Sequence, residues 1–224
     1  RIMQDEFMTP ELQRSYQPLC TVRTLAAEIP AGTKLEQYRR SLDLATGIAE
    51  TSFVADGAKY RCRMFASAAD QVVVARWEIE GDRTLTAKTE VLREVLAKGD
   101  IEHNDGSDGS YTLQYGIAIN GEHAGVRYAS ATGVRPDANG KGYTVVIAGA
   151  TDFMRFLKPT IRLADPKVTA LNVVRSAIAR PIGDLIERHL ATYREAMSRV
   201  SLEIGTGSQD EASSKPTDVR LDEF

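Results

Sequence analysis

The chain has 224 residues, of which 42% are hydrophobic and 26% charged, with a formal net charge of −3. This composition is ordinary for a globular protein with a sizeable core. The weak charge leaves no electrostatic footprint for nucleic acid or an anionic membrane, and no apolar run approaches the roughly 20 residues of a membrane-spanning helix. We therefore predict neither nucleic acid nor a membrane as a partner.

The N-terminal stretch, residues 1–15, is polar and helix-like, and we expect a helical or irregular segment there. The chain begins with Arg1 rather than Met, which favours a fragment of a larger protein. The compartment therefore cannot be read from this end of the chain.

Alternation of apolar and polar residues dominates from about Tyr38 to Thr151, which is typical of half-buried strands. The clearest strand is Lys59–Ala66, where Tyr60, Cys62, Met64 and Ala66 share one face, which is predicted to be buried. Asp56-Gly57 precedes it and predicts a tight hairpin turn. Two further strands are predicted at Gln71–Ile79 and Thr84–Leu92.

The stretch Lys98–Ser110 is rich in Gly, Asp, Asn and Ser and predicts a loop. Strands are predicted after it at Tyr111–Ile119, Val126–Ala131 and Tyr143–Ala148, with turns at Asn120-Gly121 and Asn139-Gly140. About eight strands joined by short turns, with no helices between them, favour an antiparallel β-sandwich over a βαβ fold.

Helical periodicity returns near the C-terminus. Asp165-Pro166 is a plausible start for a helix over Lys167–Ala179, and Pro181 for a second helix over Ile182–Arg199. A short strand is predicted at Val200–Ile204. The resulting division is a β-sandwich over residues 16–164, a helical segment over 165–204 and a flexible tail over 205–224.

Candidate catalytic carboxylates are numerous, but their spacing selects no pair. A glycosidase needs two carboxyl groups about 5 to 10 Å apart in a cleft. The candidates considered are Asp43, Asp70, Glu78 and Glu90, most of which fall on solvated strand faces or beside turns. We therefore predict no catalytic residue in this chain.

Metal and cofactor sites are equally unsupported. The segment Asn104–Gly109 faintly resembles a calcium loop, but Tyr115 stands where the closing Glu belongs, so an exposed turn is expected. Cys20 and Cys62 are expected to be core thiols, and the three histidines lie far apart in sequence. We predict no metal and no cofactor.

For several other polar side chains the sequence favours a structural role over binding. His189 is expected to be a structural helical histidine. The basic residues are interspersed with acids, which favours solvated strand faces or inter-domain ion pairs over a phosphate surface: Arg39, Arg40, Arg61, Arg63 and Arg76.

An ordered series of short motifs resembles the N-terminal domain of glycoside hydrolase family 95, the α-L-fucosidase-type enzymes. The series runs Tyr16-Gln17-Pro18-Leu19, Tyr38-Arg39-Arg40-Ser41-Leu42-Asp43-Leu44, Phe65-Ala66-Ser67, Asp70-Gln71-Val72-Val73, Ala150-Thr151-Asp152-Phe153, Asp165-Pro166, His189 with Tyr193, Arg199-Val200-Ser201-Leu202, and Pro216-Thr217-Asp218 with Arg220-Leu221. Two departures are Cys20, where the family has Gly, and the strands that usually precede the first motif, which this chain does not contain.

The resemblance implies a super-sandwich followed by a helical linker, with the tail leading into an (α/α)₆ barrel outside this chain. The barrel carries the catalytic groups of such enzymes, so none can be assigned here. The implied role is to scaffold an inverting enzyme that hydrolyses terminal α-L-fucosyl bonds, with an oligosaccharide bound by the parent enzyme. Helices that lack their barrel could also self-associate into a homo-oligomer.

The alternative function is a free-standing carbohydrate-binding sandwich, which would need an exposed aromatic platform. Trp77 is the only tryptophan and lies in an apolar strand, where core packing is expected. The other aromatic candidates for stacking are Tyr111, Tyr115, Tyr128 and Tyr143.

Overall fold

The computed structural model describes residues 21–26, 29, 32–92, 97–106, 109–120, 123–152, 164–201 and 219. Within these ranges the chain forms ten strands and then two helices. The strands are β1 Thr21–Ala26, β2 Glu36–Asp43, β3 Ile48–Ala55, β4 Ala58–Ser67, β5 Val72–Glu80, β6 Ala87–Leu92, β7 Ala97–Gly106, β8 Gly109–Asn120, β9 His123–Pro136 and β10 Gly142–Thr151. The helices are α1 Pro166–Ile178 and α2 Ile182–Met197. The predicted fold class, mainly β and antiparallel with C-terminal helices, is confirmed.

Eight of these strands form one antiparallel sheet in the order β2-β3-β4-β5-β10-β9-β8-β7. It consists of two four-stranded meanders, joined where β5 pairs with β10. Strand β6 leaves the sheet between the meanders and pairs with β1 in a separate two-stranded layer. In the described residues the sandwich is therefore asymmetric, with eight strands against two.

The large sheet has a different cover on each face. On the helix face, Val74, Val146 and Leu113 pack against Val174 of α1 and Leu185 of α2. On the opposite face, which we call the far face, a second core is built around aromatic and aliphatic side chains of the central strands. Ala87 of β6 and Ile29, which follows β1, pack against it. That core includes Phe53, Tyr60, Cys62, Trp77, Tyr143 and Val145.

Turn chemistry fixes the hairpins where the sequence indicated them. Asp56 and Gly57 both have positive φ, 49° and 75°, as a two-residue hairpin turn of the mirror-image type requires. Gly140, in the predicted turn before β10, has φ 66°. The third predicted turn, Asn120-Gly121, falls partly on residues 121 and 122, which lie outside the described residues. On either side of them Asn120 pairs with His123.

Three sequence predictions about strands are wrong. The stretch predicted as a loop, Lys98–Ser110, forms most of β7 and the start of β8. It is polar because β7 is the outermost strand of the sheet, where charged and small residues are favoured. Met64 is 42% exposed and Ala66 is also exposed, although Tyr60 and Cys62 on the same face are buried. Val200 and Ser201, the start of the last predicted strand, are not in a strand, and residues 202–204 lie outside the described ranges.

Helix α1 lies unusually close to β9. The helix begins where predicted, with the Asp165 carboxylate accepting a hydrogen bond of 2.9 Å from the Lys167 amide. Beneath it β9 presents Ala129, Ala131 and Gly133, and a Cβ atom on Gly133 would lie 2.7 Å from Cγ1 of Val174. The absence of a side chain at position 133 therefore sets the distance between helix and sheet.

We predict that Gly133→Ala lowers the free energy of unfolding by about 1 to 3 kcal/mol, because an added methyl group must displace either the helix or the strand. Urea unfolding followed by circular dichroism measures this loss. The double variant with Val174→Ala should lose less than the sum of the two single variants, since the second change creates the missing space.

The matched control is Gly183→Ala in α2, where no heavy atom lies within 4 Å of the added Cβ. That variant should be at least as stable as the natural chain, because alanine is about 0.5 to 1 kcal/mol more favourable than glycine in a helix. Equal losses at positions 133 and 183 would contradict the close-approach explanation.

Candidate functional site

A ladder of charged residues covers the part of the helix face that the helices leave free. Its cross-strand ion pairs join Arg61 to Glu50 at 2.9 Å and Arg63 to Glu78 at 3.1 Å. Lys59 and Glu80 form a more exposed pair at 3.5 Å. Opposite charges on adjacent strands stabilise the local register, so the ladder continues the sheet beyond the apolar core.

Arg76 is the buried centre of this ladder, with only 8% of its surface exposed. Its two Nη atoms donate to the two carboxylate oxygens of Asp137 at 2.7 and 2.6 Å, in a bidentate pair. Its Nε lies 3.5 Å from Glu78, and Nη1 lies 3.3 Å from the Thr144 hydroxyl. The solvated position predicted for this arginine is therefore wrong, although Arg61 and Arg63 are partly exposed as expected.

Gly142 makes the pair between Arg76 and Asp137 possible. A Cβ atom at position 142 would lie 2.8 Å from Nη2 of Arg76 and 2.8 Å from Oδ2 of Asp137. Asp137 itself stands just beyond the end of β9, where its amide donates to the Gly142 carbonyl at 2.9 Å. The β9–β10 turn thus brings a carboxylate over the middle of β5.

The electrostatics of this site do not suit hydrolysis. Hydrogen bonding by Arg76 holds the pKa of Asp137 below its ordinary value. A glycosidase general acid needs the opposite shift, so that it is protonated at neutral pH. A cavity of about 310 Å³ adjoins the ladder, but the carboxylates of Glu78, Glu80 and Asp137 that line it are each paired with a cation. The ion pairs of this cluster therefore join β4, β5 and the β9–β10 turn to one another.

A second polar cluster fastens α2 to the end of the sheet. Asp70, whose side chain is only 5% exposed, accepts hydrogen bonds from the Ser67 hydroxyl at 2.9 Å and from Nε of Arg188 at 2.8 Å. Arg180 lies 3.8 Å from the same carboxylate. A cavity of about 310 Å³ lies beside this cluster, between α1 and the β4–β5 turn. Two arginines around one carboxylate make this a helix-to-sheet anchor.

His189 and Tyr193 form the second half of the anchor. His189 is 2% exposed, its Nε2 lies 2.8 Å from the Thr46 carbonyl oxygen, and its ring packs on that of Phe65 with centroids 4.8 Å apart. The Tyr193 hydroxyl donates to the Leu44 carbonyl at 2.8 Å. Gly47, with φ 63°, leaves room for that ring. These contacts give His189 a structural role, in line with its sequence interpretation.

The four candidate carboxylates, none of which the sequence singled out as catalytic, lie in different settings rather than in one cleft. Asp43 caps the exposed β2–β3 turn and accepts from the Thr46 hydroxyl at 2.7 Å, which is the main cause of its lowered pKa. Asp70 lies in the helix anchor and Glu78 in the ladder. Glu90 is exposed on β6 in the small layer. Arg39 and Arg40 are exposed on β2.

The described residues contain no group of three or more His, Cys, Asp or Glu side chains arranged to hold a metal ion. The segment that resembled a calcium loop instead forms the β7–β8 hairpin, with residues 107 and 108 outside the described ranges. Cys62 is buried as a free thiol, and its burial raises its pKa to about 12. Cys20 lies outside the described residues. None of the described helices is long and apolar enough to cross a membrane.

Sequence reasoning missed Asp137, although a signal for it existed. A charged residue such as Arg76 within the apolar run Val72–Ile79 requires a buried partner, because an unpaired buried charge is costly. The partner is 61 positions away in the chain, at a turn, where no local pattern identifies it. Sequence reasoning also missed the ion pair between Asp152 and Arg127. Asp152 is 2% exposed, and its carboxylate lies 2.7 Å from Nε of Arg127.

We predict that Asp137→Asn lowers the free energy of unfolding at pH 7 by about 2 kcal/mol, because it leaves the Arg76 guanidinium without its charged partner. The folded-state pKa of Asp137 is lowered, so its stabilising effect is complete above the unfolded value of 3.8 and is lost as the pH falls through the folded value. Urea unfolding at pH 7 and near pH 3 measures this effect. The difference in the free energy of unfolding between the variant and the natural chain should be smaller near pH 3 than at pH 7.

Glu80→Gln is the matched control, because its ion pair with Lys59 is more than half exposed on both sides. It should cost less than about 0.5 kcal/mol at either pH. If Asp137→Asn lowered the free energy of unfolding by the same amount at both pH values, the charge-pair explanation would be contradicted.

Comparison with known proteins identifies the kind of domain. The family described as Glycosyl hydrolase family 65, N-terminal domain, matches residues 1–154. Alpha-L-fucosidase 2 of Arabidopsis thaliana is 25% identical over 215 residues, which cover 80% of this chain and 25% of that protein. The probable alpha-fucosidase A of Aspergillus oryzae is 24% identical over 203 residues, which cover 82% of this chain and 28% of that protein.

The chain thus spans about a quarter of the length of these curated relatives. The resemblance found in the sequence holds at the level of a glycoside hydrolase N-terminal domain. Because the family match extends over more than half of the chain, this protein belongs to the glycosyl hydrolase family 65, N-terminal domain family.

Proposed function

We propose that this chain is the non-catalytic N-terminal region of an α-L-fucosidase-like glycoside hydrolase, of the family 95 type, and that it scaffolds a catalytic (α/α)₆ barrel. The observation that carries the proposal is the alignment with two fucosidases, which covers most of this chain but about a quarter of theirs. The N-terminal domain match supports the same position within a longer enzyme.

The described residues favour a scaffold over an active site. Every carboxylate of the ladder considered above is held by a cation, and the buried Asp70 is held by Arg188. A general acid needs a carboxyl group kept protonated at neutral pH, and a general base needs a free carboxylate beside an attacking water. The carboxylates weighed here serve packing and register instead, so the catalytic groups of the parent enzyme belong to the barrel.

The helix pair is suited to link such a barrel to the sheet. Asp70, Thr46 and Leu44 hold α2 at three points along its length, through Arg188, His189 and Tyr193. A rigid linker keeps two domains in a fixed orientation, which a flexible linker of the same length would not do. The outward side of α2 is polar, with Asp184, Glu187, Arg194 and Glu195 exposed. A polar surface of this kind is typical of the interfaces between domains of one chain.

In the parent enzyme the proposed reaction is hydrolysis of a terminal α-L-fucosyl bond with inversion. A general acid protonates the leaving oxygen, while a second group activates the water that attacks the anomeric carbon from the other side. This chain supplies neither group in the proposal. Its contribution is the position of the barrel and of the rim around the sugar pocket.

For the alternative, a free-standing carbohydrate-binding module, the five aromatic side chains named from the sequence as stacking candidates are buried or covered. Trp77 is 9% exposed, and Tyr143 and Tyr128 are buried in the sheet. Lys167 lies over the ring of Tyr115 at 3.6 Å, and Arg175 lies over that of Tyr111 at 5.1 Å. Aromatic rings covered in this way cannot stack on a sugar.

We predict that this chain alone does not hydrolyse an aryl α-L-fucoside, and that a longer product of the same gene, including the downstream region, does. Release of the aryl alcohol measures the rate. Asp137→Asn in the longer product should lower its melting temperature but leave kcat unchanged, since Asp137 stabilises the fold through its ion pair with Arg76 and takes no part in the reaction.

Turnover by the 224-residue chain would show an active site within it and contradict the proposal. If neither protein hydrolysed the fucoside, the binding-module alternative would be favoured. A glycan-binding assay with the 224-residue chain would then test that alternative.

A further inference from the structure

The cavity beside the helix anchor has the size and the lining of a small-molecule site. It lies between α1, α2 and the β4–β5 turn, and its volume of about 310 Å³ is just above the lower limit of about 300 Å³ for ligand pockets. Apolar side chains of α1 form part of its wall, and a few polar groups converge on it. The residues that matter for binding are Asn172, Val173, Ser176, Arg180 and Arg188.

Asp70 does not neutralise both arginines of this cavity. Its side chain is 5% exposed, and both carboxylate oxygens are engaged, Oδ2 by the Ser67 hydroxyl at 2.9 Å and Oδ1 by Nε of Arg188 at 2.8 Å. Nε of Arg180 lies 3.8 Å from Oδ1, which is beyond hydrogen-bond distance. Two guanidinium groups therefore face one carboxylate, and one positive charge remains at the cavity.

The Arg180 guanidinium is the group with unused donors. None of the described residues accepts a hydrogen bond from it, whereas Arg188 donates through Nε to Asp70 and through Nη2 to the Ala69 carbonyl. A guanidinium presents five N–H donors in a planar fork that matches the oxygens of a carboxylate or a sulfate. Asn172 and Ser176, one turn apart on α1, add an amide and a hydroxyl to the same lining.

The cavity at the charged ladder differs in this respect. Each cation that lines it already has an acceptor: Asp137 for Arg76, Glu50 for Arg61, Glu80 for Lys59 and two backbone carbonyls for Lys141. Of these two cavities, only the one beside the helix anchor therefore presents a guanidinium that is free to bind an added anion.

We propose that this cavity binds a small oxyanion, a carboxylate or a sulfate, either free or carried by an acidic sugar. The Arg180 guanidinium donates to two oxygens of the anion, and Arg188 supplies a second positive charge while it stays bonded to Asp70. The half-buried side chain of Val173 provides an apolar wall on which the nonpolar side of a sugar ring can pack. The inference does not depend on the proposed function, because every residue of the site belongs to this chain.

The test is an NMR titration of the 224-residue chain that follows the Nε–H signals of Arg180 and Arg188 and the backbone amide signal of Ser176. Sodium glucuronate, sodium acetate and sodium sulfate are the anionic probes, and glucose is the neutral probe. Sodium chloride keeps the ionic strength constant, so that general screening does not change. We expect saturable shifts with the three anions, with Kd values in the millimolar range, and no shift with glucose.

The same titration distinguishes the two sources of the anion. Tighter binding of glucuronate than of acetate would assign the site to an acidic sugar, because only glucuronate offers a ring to Val173. Equal binding of the two would assign it to a free oxyanion.

Arg180→Gln should weaken glucuronate binding at least about tenfold, because it removes the charge-assisted, bidentate contact. The variant should keep its melting temperature, since Arg180 is exposed and donates no side-chain hydrogen bond to the described residues. Arg194→Gln is the matched control. It removes the same charge from the exposed surface of α2, outside the cavity lining, and should leave the affinity for glucuronate unchanged.

Three results would each overturn the inference. They are shifts that rise with anion concentration without saturating, equal shifts with glucose and glucuronate, and an equal loss of affinity in Arg180→Gln and Arg194→Gln. None of them bears on the proposed function, which hydrolysis of an aryl fucoside by the longer gene product tests separately.

Discussion

The close approach of helix α1 to strand β9 is the constraint on which the C-terminal half of this structure depends. Small side chains on β9 and the bare Cα of Gly133 let Val174 reach the sheet. Once α1 is fixed, the short connection through Pro181 places α2 across the ends of the β2–β3 and β4–β5 turns. The anchoring contacts of Arg188, His189 and Tyr193 are possible only from that position. The small residues of one strand thus determine the position of the whole helix pair.

The helix face divides into two regions with different chemistry. Under the helices it is apolar, and beyond them it carries the ladder around Arg76 and Asp137. A buried arginine needs a partner with matched geometry, since an unpaired buried charge costs several kcal/mol. The carboxylates of Glu78 and Asp137 are held in these ion pairs and are therefore not free to act as a general acid or base. The same carboxylates therefore hold this sheet together, which is consistent with the proposed scaffolding role.

The sequence alone predicted the local features well. Alternation identified β4, β5 and β8, Asp-Gly and Asn-Gly identified two turns, and Asp165-Pro166 identified the start of α1. It failed at β7, because an edge strand is free to be polar and then has the composition of a loop. The predicted domain limits, including the tail over residues 205–224, remain predictions.

Contacts between distant parts of the chain could not be predicted from periodicity. Arg76 and Asp137 are 61 positions apart, and His189 and Thr46 are 143 apart. Alternation correctly assigned Met64 to the face of Tyr60 and Cys62, but it could not show where the second layer ends. Burial depends on what lies opposite a strand, and no residue of that strand encodes this.

The central claim is that the helix pair and the large sheet form one cooperative unit. Native-state hydrogen exchange of the 224-residue chain tests it most directly. Interior amides of α1 and α2 should exchange with the same opening free energy as those of β5 and β10, through unfolding of the whole unit. Helix amides that exchange through a separate opening of clearly lower free energy, while the sheet stays protected, would contradict it.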